Sequence, residues 1–384
     1  MNKGNSKRKK SGNKKFWFIL IVLVILFSVD LSSYPKYEII DSNKERSVNT
    51  PSVYTSSKLD VYFYDVGQAD SILLLLGGQA LLIDSGNAGD AALDDKIKDK
   101  INLTHELKRL GVYELDVVGT HAHEDHIGSM YKICDVFEIK NLYMNALLPE
   151  EEQSRYYQRL VKVIEEKDIH IITPTILSEN EIKEEIEVYN SELIAEYEEQ
   201  IKTLKSNGVS PEKIEAIEKP ELVKYYADDY IRVGDTIPFG NAKVTMLAPN
   251  SAEYSDTNDY SIVLMVEFEG VKLLLTGDAG KESEDEMLEF AQNNNFDLDC
   301  DILKVSHHGS RTANTEAFIK AVTPEYAIVM VEEENSYGLP DEDVLERLEN
   351  QGSVIYQTKD MGDIHLIIND GSFEFDFDFS HEVK

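Results

Sequence analysis

The apolar positions change character along the chain. From 16 to 29 they are nearly continuous, Phe-Trp-Phe-Ile-Leu-Ile-Val-Leu-Val-Ile-Leu-Phe-Ser-Val, with no polar face that a helix could turn to water. The run is shorter than the roughly 20 residues that span a bilayer, but Leu31 and the aliphatic stems of Lys14 and Lys15 extend it by snorkelling. No small-x-small cleavage site follows, so an uncleaved signal anchor over 16–31 is expected in preference to a cleaved signal peptide, behind a basic tail over 1–15. The positive-inside rule then places everything after Asp30 outside the cytoplasm, as a single-pass cell-membrane protein with an extracellular domain. Residues 32–57, polar and Ser-rich with Pro35 and Pro51, read as a tether.

From Lys58 short apolar runs of strand character take over. Strands are expected at 59–66, 71–76 and 80–83, joined by turns at 67–70 and Gly77-Gly78, which makes an opening β-meander. A helix over 94–110, ended by Gly111, precedes a strand at 115–118. Residues 150–168 and 179–206 are dense in Glu and Lys at helical spacing. The second stretch, broken at Ser210-Pro211 and resumed to about Lys224, forms a helical insertion over about 179–226, a solvated cap or alternatively a lid. Strands return at 231–237, 242–247, 261–268, 271–275, 301–305, 326–331 and 354–357. The order predicts an α/β fold, two packed sheets flanked by helices, in one domain over 58–384.

With 384 residues and 42% hydrophobic composition, the chain can bury a substantial core. The formal net charge is -34, and because 1–15 hold seven basic residues and no acid, the rest carries 31 basic against 72 acidic side chains. Such a surface repels polyanions and disfavours nucleic acid as a partner, unless a local basic groove or bound metal overrides it, and it suits a cationic substrate group. Cys134 and Cys300 are too few for a thiolate cluster and read as small apolar residues, with a disulfide between them left open.

The chemistry concentrates at strand ends. Thr120-His121-Ala122-His123-Glu124-Asp125-His126-Ile127-Gly128 gathers three imidazoles and a carboxylate directly after a strand, and a shared cation is the economical account of that cluster. A turn lets His121 and His123 face one metal while Asp125 and His126 face a second. Nitrogen and carboxylate ligands favour Zn2+, with Mn2+ or Fe as alternatives. Asp278, projected by Thr276-Gly277 after an apolar strand, and His307 or His308 after another, complete the set. Asp84, in Ile83-Asp84-Ser85-Gly86, either orients a ligand histidine or only ends a strand.

The order of these motifs resembles that of metallo-β-lactamase fold hydrolases, most closely the ComEC-like, competence-protein-related branch. The resemblance is carried by Asp65-Val66-Gly67-Gln68-Ala69-Asp70-Ser71, Leu82 to Gly86, the histidine cluster, Asn258-Asp259-Tyr260-Ser261, Thr276-Gly277-Asp278 and Leu303-Lys304-Val305-Ser306-His307-His308-Gly309-Ser310. It implies a four-layer αββα sandwich with two divalent metals at the rim: His121 and His123 on one, Asp125 and His126 on the other, and Asp278 bridging. Alignment of the strand before the paired histidines makes His307 the ligand there, leaving His308 to bind the developing oxyanion or protonate the leaving group. The family's lone histidine between the cluster and the bridging Asp is not matched. His170 has no supporting motif, and Asn258 is the residue expected to complete the first metal. Ala69 stands where the family has Gly, and Leu339 where it often has His.

Two such cations support hydrolysis of a phosphodiester or other ester by a water that bridges them and becomes hydroxide near neutral pH. The resemblance implies either DNA or choline-type wall phosphodiesters as substrate. The reading from another class is a surface protein that keeps the fold for binding, with metals absent or structural.

Overall fold

The structure, a computed structural model, describes residues 57–88, 102–148 and 153–377 apart from 216, 218 and 221. The basic tail, the anchor over 16–31, the tether up to 56 and the first part of the helix expected over 94–110 lie outside these residues. Among the described residues no helix is long and apolar enough to cross a membrane. Contacts divide the chain into two compact units, the smaller holding Leu177–Tyr225.

In the larger unit β1 (Lys58–Phe63), β2 (Ile72–Leu76) and β3 (Gln79–Ile83) form the expected meander, and β4 (Glu114–Gly119), β5 (Glu138–Met144), β6 (Ile171–Pro174) and β7 (Tyr230–Ile231) add in parallel. The second sheet has β8 (Thr236–Phe239), β9 (Ala242–Ala248), β10 (Val263–Phe268) and β11 (Val271–Leu275) antiparallel, then β12 (Ile302–Lys304), β13 (Tyr326–Val329) and β14 (Val354–Gln357) parallel. The chain returns to the first sheet with β15 (Ile364–Asn369) and β16 (Ser372–Asp376), outside β1. One expected strand is divided: 231–237 breaks at Gly234, whose φ of 91° turns the chain from β7 in one sheet to β8 in the other.

Helices connect the parallel strands: α1 (Leu103–Arg109), α2 (Glu124–Ile127), α3 (Met130–Val136) and α4 (Arg155–Lys167) in the first half, and α5 (Lys281–Asn294), α6 (Glu316–Val322) and α7 (Glu342–Gln351) in the second. Alternation along the strands builds the layers. Leu59, Val61 and Phe63 share one buried cluster with Leu264, Val266, Leu273 and Leu275, the core between the sheets. Their neighbours Val263, Met265 and Leu274 instead join Met287, Phe318, Ile319, Val344 and Leu348 of the helices. A sheet buried on both faces needs near-continuous apolar strands, which is why β10 and β11 read that way in sequence. Cys134 and Cys300 are buried and free, so the disulfide left open by the sequence is not formed.

The smaller unit is a 28-residue helix, Glu179–Ser206, opened by a capping box between Ser178 and Glu181, and a short helix, Pro211–Glu215. The helical piece expected to reach about Lys224 therefore ends earlier. Asn190 ties the stretch that follows to the long helix through both the N–H and the carbonyl of Val223, each at 2.9 Å.

Leu264→Ala, which opens a cavity between the sheets, is expected to cost about 2–5 kcal/mol, read as a lower urea midpoint at unchanged slope.

Candidate metal centre

The candidate site residues stand at strand ends, except Asn258, which lies in a 3-10 turn over Thr257–Tyr260. Asp84 follows β3, the histidine cluster follows β4, Asp278 follows β11 and the paired histidines follow β12. The parallel pairs β3–β4 and β11–β12 thus deliver their loops to the same end of their sheets. Local backbone makes the delivery exact in register. Asp84 adopts a left-handed φ of 57°, and its N–H donates to Val118 O at 2.8 Å. Gly128 lets α2 approach the loop after β3: a Cβ there would sit 2.5 Å from Ala88 N. His307 and His308 are both left-handed, at φ 48° and 53°, a strained pair. Asn314 holds them by accepting from Ser306 N at 3.1 Å and donating to Ser306 O at 2.9 Å.

Two imidazoles are oriented with one ring nitrogen spent and the other bare. His126 Nδ1 donates to Asp84 Oδ2 at 2.7 Å, and that carboxylate also accepts from Thr120 N and Oγ1 at 2.8 and 2.7 Å. Asp84 is therefore the orienting carboxylate, the first of the two readings open in sequence. His308 Nδ1 lies 2.8 Å from Met330 O, a pure acceptor, so Nδ1 carries the hydrogen and Nε2 offers its lone pair. The bare Nε2 atoms converge with Asp125 and Asp278: His126 Nε2 is 3.3 Å from Asp278 Oδ2 and 3.9 Å from Asp125 Oδ2, and His308 Nε2 is 3.6 and 3.4 Å from the same oxygens. A tetrahedral ion with ligand distances of about 2.0–2.1 Å separates its ligand atoms by about 3.3–3.4 Å. The four donors fit such an ion, and neither Nε2 has a hydrogen-bond partner.

The other expected site residues sit around this cluster. His121 Nε2 and His123 Nδ1 face each other at 3.0 Å, with His121 Nδ1 3.3 Å from Ser261 Oγ. His121 is buried and His123 exposed. The structure brings His308 into the four-donor cluster, where the sequence pointed to His307. The left-handed pair turns His307 outward to Thr312 Oγ1 at 3.0 Å, leaving its Nε2 3.9 Å from Asp278. Asn258 is buried, its Nδ2 3.5 Å from His307 Nδ1, outside the cluster. His170 pairs with Asp229 at 2.9 Å and Asn141 at 3.2 Å, remote from it in role as in sequence.

Two residues were quoted in motifs without a role being seen. Lys304 is fully buried; its Nζ donates to Gly277 O at 2.8 Å, contacts Asp70 Oδ2 and lies 3.6 Å from Asp278 Oδ1. The available signal was a lysine inside the apolar run Leu303-Lys304-Val305, which no strand buries without a counter-charge.

Charges in the cluster are mutually perturbed. Burial opposes the charged forms of His126 and His308, yet Asp278, with Asp84 at His126 and Asp125 at His308, holds both imidazoles above their ordinary range. Burial pushes Asp278 up, and His126 and His308 win, holding it well below the usual carboxylate range. Burial and the neighbouring His126 hold His121 well below its ordinary range, and burial lowers His307. In the pair Asp70–Lys304, burial raises the acid against the pull of Lys304, and Asp70 and Asp278 together keep Lys304 above its ordinary value although burial opposes the ammonium.

The sequence pattern of the metallo-beta-lactamase superfamily matches residues 64–331. ComE operon protein 3 of Bacillus subtilis (strain 168) is 30% identical over 156 residues, 41% of this chain and 20% of that protein. Competence protein ComA of Neisseria gonorrhoeae is 34% identical over 112 residues, 29% of this chain and 16% of that one. The aligned stretches thus span at most about a fifth of these curated relatives. Among solved structures, a metallo hydrolase of the archaeon Ignicoccus hospitalis shares 12% identity, covering 85% of this chain and all of that one at a TM-score of 0.37.

Two outcomes follow from the donor geometry. His308→Ala is expected to lower divalent-metal content sharply while His307→Ala retains it, as measured by elemental analysis of the purified variants; equal loss in both would overturn the assignment. Because the folded values of His126 and His308 lie above the ordinary value of about 6.5, the stability they add to metal-free protein is fully present below that pH and lost as pH rises through the folded values. Metal must displace these protons, so its affinity rises with pH over the same window, as proton release in calorimetry would show.

Proposed function

This chain belongs to the metallo-beta-lactamase superfamily of metal-dependent hydrolases, in the branch of the competence proteins, and from that premise we propose that it is a phosphodiesterase. The observation that carries the reading is the convergence of bare His126 and His308 Nε2 atoms with two carboxylates, an all-nitrogen-and-oxygen set suited to a divalent ion, Zn2+ foremost and Mn2+ or Fe as alternatives. An ion held there supplies Lewis-acid stabilisation of charge on the attacked centre and a more acidic water. A second ion on His121 and His123 completes the proposed centre, and two metal equivalents per chain by elemental analysis is the expected result.

The chain's own groups do the rest. Asp84 and Met330 O fix the ring planes of His126 and His308. His307, which burial holds below its ordinary range, and the exposed His123 lie beside the four-donor cluster, outside it, and are the groups proposed to hydrogen-bond the leaving oxygen. A cleft lined by Asp256, Asn258, Asp259, Lys281, Asp285 and Thr312 adjoins His307 through Thr312 and Asn258. Its acids, with the chain's net charge of -34, support a short phosphodiester bearing a cationic group over a long polyanion. The second substrate reading, DNA, draws support from the relatives named as competence proteins. We also propose that residues 16–31 anchor the chain with its domain outside the cell; release by protease from intact cells, without detergent, tests this.

Hydrolysis of bis(p-nitrophenyl) phosphate with Zn2+ or Mn2+, compared with Asp278→Ala, tests the activity. Metal-dependent turnover that is lost in the variant is the expected result, and p-nitrophenylphosphorylcholine against single-stranded DNA then separates the substrates. Turnover absent with metal bound would favour a different ester, and no bound metal would favour the binding-protein reading.

A further inference from the structure

Lys304 poses a question that metal ligation leaves unanswered. A fully buried ammonium is costly unless its charge is matched, and β12 could have carried an apolar residue as its neighbours do. Ile302 belongs to the core between the sheets, whereas Leu303 and Val305 belong to the core under the helices, so alternation directs Lys304 inward between the sheets. There it touches Asp70 and the Oδ1 side of Asp278, while Asp278 Oδ2 faces His126 and His308. Asp70, Asp84 and His126 offer donor atoms within 4.8 Å of one another, so they too resemble a cation site. Part of that capacity is spent: Asp84 is bonded to His126 Nδ1 and Asp70 Oδ2 is paired with Lys304, while Asp70 Oδ1 is buried without a hydrogen-bond partner.

We propose that Lys304 is the resident cation of this site: it fills the Asp70 side, holds Asp278 in place before any metal arrives, and weakens divalent-metal binding at the four-donor cluster by charge repulsion. Asp70 is the counterweight that draws the ammonium away from Asp278. Neither residue belongs to the four-donor set, and the two oppose each other. The inference rests on the metal centre of the preceding section, not on its substrate.

The test is a chelator-competition titration with Zn2+ and thermal melting of full-length Lys304→Met, Asp70→Asn and the double variant. Lys304→Met is expected to melt lower than wild type without metal, because two buried carboxylates lose their partner, and to bind Zn2+ at least about tenfold more tightly, the repulsion between an ammonium and a divalent ion at this range being large. Asp70→Asn is expected to bind Zn2+ more weakly, the ammonium then leaning on Asp278 alone. The double variant is expected to recover metal-free stability relative to Lys304→Met. A lysine that only packs would give the opposite sign: Lys304→Met binding zinc equally or less tightly overturns the proposal, as does an unchanged affinity in Asp70→Asn. If Lys304→Met folds only with metal, that rescue supports it, and if it folds in neither state the sign in Asp70→Asn decides. Wild-type protein that binds no zinc would sink the metal centre itself, whereas wild-type binding with variants unmoved sinks only the role of Lys304.

Discussion

The carboxylate of Asp84 accepts from the backbone and hydroxyl of Thr120 and from the ring of His126, all of them buried. One side chain thereby joins the turn after β3 to the loop after β4 and sets the direction in which His126 presents its second nitrogen. The requirement behind this is charge burial. Burying a carboxylate is far less costly where its oxygens are hydrogen-bonded, and both oxygens of Asp84 are, in the left-handed turn that brings it there. Ser85 extends the lock, its N–H and hydroxyl both donating to His126 O at 2.7 and 3.0 Å.

The same logic extends across the sandwich. Ser261, at the start of β10, donates or accepts at His121 Nδ1 and accepts from Asp278 N at 3.1 Å, so the second sheet's carboxylate is registered against the first sheet's histidine loop. Gly277 is needed at that crossing, since a Cβ would come within 3.1 Å of Ser261 Oγ and of Thr120 Cβ. The cluster is thus not four residues placed independently but three strand-end loops brought together by a core that none of them contains.

This explains what could be read from sequence. The histidine cluster was legible because H-x-H-x-D-H is local: one turn after one strand brings its members together. The strands β2, β11 and β14 were legible from short, largely apolar runs between turn residues. The split at Gly234 was not, because periodicity along 231–237 is blind to which sheet each half pairs with. Nor were β15, whose pairing with β1 is set by contacts some 300 positions away, His365 to Asp60 among them at 2.8 Å, and β16, which pairs with β15. The choice between His307 and His308 turned on two consecutive left-handed residues, a conformation that composition does not announce. Lys304 was visible as an anomaly but uninterpretable until Asp70 arrived from a distant turn.

Charge balance gives the remaining step. Asp70, Asp84, Asp125 and Asp278 bring four carboxylates to one end of a sandwich whose core is apolar, and hydrogen bonds alone do not neutralise that many. Lys304 and the raised pKa values of His126 and His308 supply positive charge in the metal-free protein. The two imidazoles can surrender theirs to an incoming ion, whereas the ammonium cannot. The imidazole protons and an incoming ion compete for the same Nε2 atoms, so binding there exchanges protons for metal.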